Sequence, residues 1–158
     1  MPSFSTTQRV NHTADQMFDL VADVERYPEF VPLCERLVIR ERREKDGREM
    51  LTATMAVGFK AIHESFTSRV LLDCENRTIR ATYVDGPFKS LDNIWRFEPV
   101  GDGQCDVHFS IDYEFKSRML AMVMGSQFDR AFRKFTTAFE QRADQLYGRS
   151  NATASTSV

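Results

Sequence analysis

SRMLAMVMGSQFDRAFRKFTTAFEQRADQLY, residues 117–147, is the stretch that decides the fold. It contains no proline, and Ala121, Met124, Phe128, Phe132, Phe135, Phe139 and Leu146 recur at spacings of three, four and seven. At about 100° per residue these side chains form one narrow stripe along a long helix. Four phenylalanines are more than docking a helix requires, because each ring can remove roughly 150–250 Å² from water. Either a curved sheet fills the space beneath them or a ligand does.

What precedes the helix has a different period. Phe4–Val10 alternates weakly and reads as a first strand, after which Thr13 and Gln16 match a capping box that starts a short helix through Met17, Phe18, Leu20, Val21 and Val24. Tyr27-Pro28 ends that helix or begins a new turn, since proline disfavours a helical residue before it. Tyr27, Phe30, Val31 and Leu33 then form an apolar connector that must be covered. From Arg36 onward mostly apolar residues share alternate strand faces: Leu37 and Ile39; Leu51, Ala53, Met55 and Val57; Ile62, Phe66, Val70 and Leu72, with Glu64 and Ser68 on the same side; Ile79, Ala81 and Tyr83; Leu91, Trp95 and Phe97, with the polar Asn93; Val107, Phe109, Ile111, Tyr113 and Phe115. Turns are expected at Asp46-Gly47, Asn76-Arg77, Asp85-Gly86-Pro87 and Gly101-Asp102-Gly103, with a bulge or turn at Gly58. The order is strand, two short helices, six strands joined by short turns, long helix. That is an α+β chain whose curved antiparallel sheet of about seven strands wraps the long C-terminal helix.

With 158 residues, the chain fits a single domain, expected over 1–148, followed by a Ser/Thr/Asn/Ala tail over 149–158 that lacks an apolar pattern and reads as disordered. A net charge of -2 gives no global pull towards nucleic acid, and the arginines around residues 40–48 are interleaved with carboxylates, so no DNA partner is expected. Cys34, Cys74 and Cys105 are odd in number and far apart, which reads as reduced thiols in a cytoplasmic protein and not as a disulfide frame or metal site. The opening lacks a signal-peptide pattern and nothing approaches a membrane span, so the expectation is a soluble chain, at most peripheral to a membrane.

VNHTADQMFDLVADVERYPEFVPLC at residues 10–34 resembles the entry segment of the coenzyme Q-binding START-like proteins, the ubiquinone chaperone family. Asp85-Gly86-Pro87-Phe88-Lys89-Ser90-Leu91, Trp95-Arg96-Phe97 and the phenylalanine-rich helix resemble it as well, so the likeness spans roughly residues 3–147. Leu33 stands where family members often carry tryptophan. The resemblance implies a helix-grip fold within the polyketide cyclase-like lipid-transfer superfamily. Two branches share these motifs. One binds ubiquinone and supports respiratory electron transport; the other resembles ribosome-association toxins that block joining of the ribosomal subunits.

Pattern alone favours a dry, filled core, since amphipathic helices usually just pack. The resemblance implies instead an apolar cavity for a polyprenyl chain, lined by Leu91, Trp95, Phe97, Phe109, Ile111, Tyr113, Met124, Phe128, Phe132, Phe135 and Phe139, with ubiquinone as bound ligand and no other cofactor. Trp95 is either a core residue or a flank for the quinone ring. Glu64 and Ser68 interrupt an apolar strand face; they are candidates for a quinone oxygen, though a strand end curling into water accounts for them more simply. Met119, Met122 and Val123 point away from the phenylalanine stripe, and Arg130, Arg133 and Lys134 continue that side. An apolar tip followed by basic residues suits a peripheral helix on the inner, cytoplasmic membrane face, a dimer seam or a surface beneath the Tyr27–Leu33 connector. The expected gate is Tyr27, Phe30, Val31 and Leu33 with Met119, Met122 and Val123.

No catalytic residue is expected. His12, His63 and His108 stand apart from any nucleophile motif, and neither G-x-S-x-G nor H-E-x-x-H occurs. A cyclase-like chemistry would call on Glu64 or Tyr113, and spacing shows no such constellation.

Overall fold

β1 (Ser3–Val10) opens the chain in the computed structural model, which describes residues 3–148. Thr13 then caps α1 (Ala14–Ala22): the Gln16 N–H donates to its hydroxyl and the Gln16 side chain accepts from its own N–H, the reciprocal pair that the spacing predicted. A 3-10 helix follows over Val24–Glu29 and runs through Pro28. So short a helix makes few ladder bonds, and losing one donor there costs little.

Six strands succeed it: β2 (Cys34–Lys45), β3 (Arg48–Phe59), β4 (Ile62–Asp73), β5 (Thr78–Asp85), β6 (Phe88–Pro99) and β7 (Cys105–Phe115). All pair antiparallel in the order β1-β7-β6-β5-β4-β3-β2. With α2 (Arg118–Tyr147) this is the helix-grip α+β architecture. Asp46 and Gly47 both take positive φ, 54° and 77°, as the two-residue hairpin turn demands. Gly58 is neither bulge nor turn but lies within β3, its N–H bonded to the Leu33 carbonyl at 3.0 Å. A Cβ there would sit 2.4 Å from the Glu35 carboxylate of β2, a flexible side-chain end that would have to swing aside.

Ser117 caps α2 by accepting from the Leu120 N–H. The helix packs against α1, β1 and β7. Its stripe is covered only from Met124 to Ala143; Ala121 and Leu146, expected on the buried face, are exposed. A helix of 30 residues is about 45 Å long, and the residues at both of its ends are exposed. The expected tail at 149–158 lies outside the described residues.

Phe88 is fully buried where α2 meets the ends of β6 and β7, stacked on Phe115 with centroids 4.8 Å apart and edge-on to Phe66 at 5.3 Å. Its ring also meets Tyr83, Tyr113 and Phe128. Phe88→Ala should therefore destabilise the fold by about 3–5 kcal/mol, seen as a lowered urea midpoint; a loss below about 1 kcal/mol would show that this end of the domain is loosely packed.

Candidate ligand cavity

Strands β2–β5 curl past the flank of α2 that β1 and β7 leave free, and between them lies a cavity of about 110 Å³, or about 950 Å³ of atom-free space when its mouth is included. Alternation along each strand supplies the wall, and residue size explains the void. Ala53, Ser68 and Ala81 on the sheet face Ala131 and the phenylalanines of α2, so small side chains stand where a filled core would need large ones. Leu33, Leu37, Met55 and Phe135 are half-buried, as are Pro32, Phe66, Ala81 and Asn93, and these lining residues form the rim along which the cavity reaches solvent.

The electrostatics are plain. Among the described residues, no carboxylate, amine, guanidinium, imidazole or thiol lines the cavity. Among the described residues, Tyr27 is the one ionisable lining side chain; its hydroxyl donates to the Val21 carbonyl, and burial pushes its pKa far upward, keeping it neutral. Asn93 commits its Nδ2 to the Ser110 carbonyl at 2.9 Å. Ser68 differs from both: it is only 6% exposed, and its Oγ has no hydrogen-bond partner among the described residues. A buried unpaired hydroxyl costs about 1–3 kcal/mol. The expectation that Ser68 is solvated at a strand end is therefore overturned, because β4 extends to Asp73 and places it mid-strand. Glu64 is half-buried and does not line the cavity.

Of the residues expected to line a cavity, Leu91, Trp95, Ile111, Phe128, Phe132, Phe135 and Phe139 do so. Phe97, Phe109, Tyr113 and Met124 do not. Phe97 packs edge-on to Phe18 of α1; Phe109 is wedged among Phe4, Trp95 and Phe135; Tyr113 sits in the ring cluster with Phe88 and Phe132; Met124 is buried at the helix start. Phe97 thus packs beneath α1, while Phe109 and Tyr113 fill the seam between α2 and the sheet. Tyr113 is also held protonated, by burial and then by the Asp129 carboxylate.

The expected gate divides in two. Tyr27 and Leu33 line the cavity, Val31 is buried, and Phe30 packs edge-on to Phe139 at 5.0 Å beneath the Arg142 guanidinium. Met119, Met122 and Val123 are 74%, 83% and 45% exposed and lie outside the lining. The connector packs near Phe139, about five helical turns from Met122, so it does not cover that tip. Sequence reasoning missed Leu37, Met55, Phe66 and Val70 as lining, although each was legible as an inward position.

The histidines take no part. His12 pairs with Asp144, His63 with Glu35, and His108 with Thr7 and Glu98.

Residues 10–140 match the family model described as polyketide cyclase / dehydrase and lipid transport. The chain belongs to that family. Within the polyketide cyclase and lipid-transport family it is 35% identical to the ribosome association toxin RatA of Vibrio cholerae, over 94% of this chain and 99% of that protein. It is 31% identical to the mitochondrial coenzyme Q-binding protein COQ10 homolog B of Xenopus laevis, over 92% of this chain and 59% of that protein. The solution structure of the 18 kDa protein CC1736 from Caulobacter crescentus superposes with a TM-score of 0.77 at 38% identity, covering 94% of this chain and 99% of that one.

Ser68→Ala removes the unpaired hydroxyl and leaves a well-fitting methyl. In ligand-free protein it should raise stability by about 1 kcal/mol and the thermal midpoint by about 2–4 °C; a fall in the midpoint would mean that the hydroxyl is satisfied within the fold.

Proposed function

We propose that this chain binds ubiquinone or a related polyprenyl lipid in the cavity and carries it, in support of respiratory electron transport, as a ligand and not as a cofactor for chemistry of its own. The observation that carries this reading is the wall: apolar side chains from every strand but β1, with no charged group among them. Such a lining suits a guest that is almost entirely hydrocarbon. Each methylene taken from water into it is favoured by about 0.8 kcal/mol, whereas one taken from a bilayer gains almost nothing. Exchange with a membrane is then near balance, and the work lies in opening the mouth.

A non-catalytic role is supported by the chemistry absent from the wall. Tyr113 lies off the cavity and is held protonated, and Glu64 does not reach it. The volume of about 110 Å³ accommodates a ring or a few isoprene carbons, so a long tail would run out through the mouth or displace Leu33, Met55 and Phe135.

Contact with the bilayer, apart from the mouth itself, falls to the start of α2. Met119, Met122 and Val123 stand exposed beside Lys116 and Arg118, the arrangement by which an apolar tip enters an anionic surface while cations meet the headgroups. No helix among the described residues is long and apolar enough to cross a membrane, so contact would be peripheral, at the cytoplasmic face of the inner membrane. Met122→Asp should weaken sedimentation with anionic liposomes several-fold while leaving the circular dichroism spectrum unchanged; undiminished liposome binding would remove the tip from the account.

A second reading has its own support in the similarity to a ribosome association toxin across 94% of the chain. It would place function on the outer surface, in blocking the joining of ribosomal subunits. Two measurements separate the readings. Solvent extraction of protein purified from its native cells, followed by mass spectrometry, should release a quinone near one per chain if the carrier reading holds; its absence would contradict it. Adding the protein to separated subunits should leave their association in a sucrose gradient unchanged under the carrier reading, and reduced association would favour the second.

A further inference from the structure

Ser68 is placed by the sheet with unusual care for a residue whose hydroxyl has no partner among the described residues. It faces inward on β4 between Phe66 and Val70, opposite Ala53 of β3 and Tyr83 of β5. The β4–β5 register is broken beside it: Thr67 lies opposite Asp85 while Ser68 lies opposite Tyr83. An irregularity of this kind re-aims a side chain, and bulges concentrate next to binding sites. Here the side chain is 94% buried in an apolar wall with its Oγ unpaired. Alanine would fit the position without that cost, and the neighbouring small positions are alanines, Ala53 and Ala81.

The mouth has the opposite character. Leu33, Leu37 and Met55 offer hydrocarbon and no side-chain donor. The enclosed volume, about 110 Å³, is close to that of apolar cavities that hold a single six-membered ring, roughly 150 Å³. Donor inside, hydrocarbon outside and a ring-sized interior fix an orientation.

Resting on the carrier reading, we infer that Ser68 is the polar anchor of the cavity and that the guest enters head first: an oxygen-bearing ring of the quinone class accepts a hydrogen bond from the Ser68 hydroxyl, and its tail leads out past Leu33, Leu37 and Met55. A guest bound tail first would set methylenes against the hydroxyl and leave it unpaired. A head-first guest satisfies the donor and lets tail length vary without changing the site. Selection then falls on the head group, because a site that has buried a donor discriminates against ligands lacking its acceptor.

The test compares hexyl-benzoquinone with hexylbenzene, of similar shape but without an acceptor, by isothermal titration calorimetry on the full chain. The unaltered protein should bind the quinone about tenfold more tightly than the hydrocarbon. Ser68→Ala should bring that ratio close to one by weakening the quinone alone, and Ser68→Thr, which keeps the hydroxyl, should retain the preference. Equal binding of the two compounds by the unaltered protein, or an undiminished preference in Ser68→Ala, overturns the anchor while leaving an apolar carrier in place. Failure of the unaltered protein to bind either compound overturns the carrier reading and the anchor with it.

Discussion

A ladder of aromatic rings seats α2 on one half of the sheet, and the remaining architecture follows from that seat. Phe128 meets Phe88 and Phe115, Phe132 meets Tyr113, Phe135 meets Phe109, and Phe139 meets Trp95. Each such pair contributes about 0.5–1.5 kcal/mol beyond the area it buries. The contacts all lie on β6 and β7, so the helix is held over that side and cannot also fill the space under β2–β5. Those strands curl across its other flank carrying Ala53, Ser68 and Ala81, and a void remains. Tyr27 and Phe30 close one end by packing edge-on to Phe139.

Much of this is legible in the sequence because it is local. The capping box at Thr13, the Asp46-Gly47 turn and the alternation of β7 are set by neighbours in the chain, and they stand where periodicity places them. What alternation cannot convey is position along the strand axis. Leu91, Trp95 and Phe97 share one face of β6, yet the first two line the cavity and Phe97 lies under α1; on β7, Ile111 lines it while Phe109 and Tyr113 serve the seam. Parity names the face, and only the tilt of α2 and the placement of α1 divide it. Ser68 shows the same limit, since a polar residue on an apolar face reads as a strand end until the register shows it mid-strand and enclosed.

Two surfaces of the molecule thus have different physical characters. The interior offers an uncharged apolar recess with one idle donor, whereas the start of α2 offers exposed methionines flanked by cations. These are separated along the helix, so under the proposed carrier reading membrane contact would fall at one place and shelter of a guest at another. That separation also accommodates divergence among relatives of the same family, because an outer surface can change its partner without disturbing the ladder that forms the recess.

The account stands or falls on whether the recess is real space that takes an apolar guest. A crystal of the ligand-free protein pressurised with xenon measures this directly, since dry apolar cavities bind the gas. Xenon density between Phe132 and Phe135 of α2 and Val70 and Ala81 of the sheet is the predicted result; a pressurised crystal with no xenon there, and side chains closed across the gap, would contradict it.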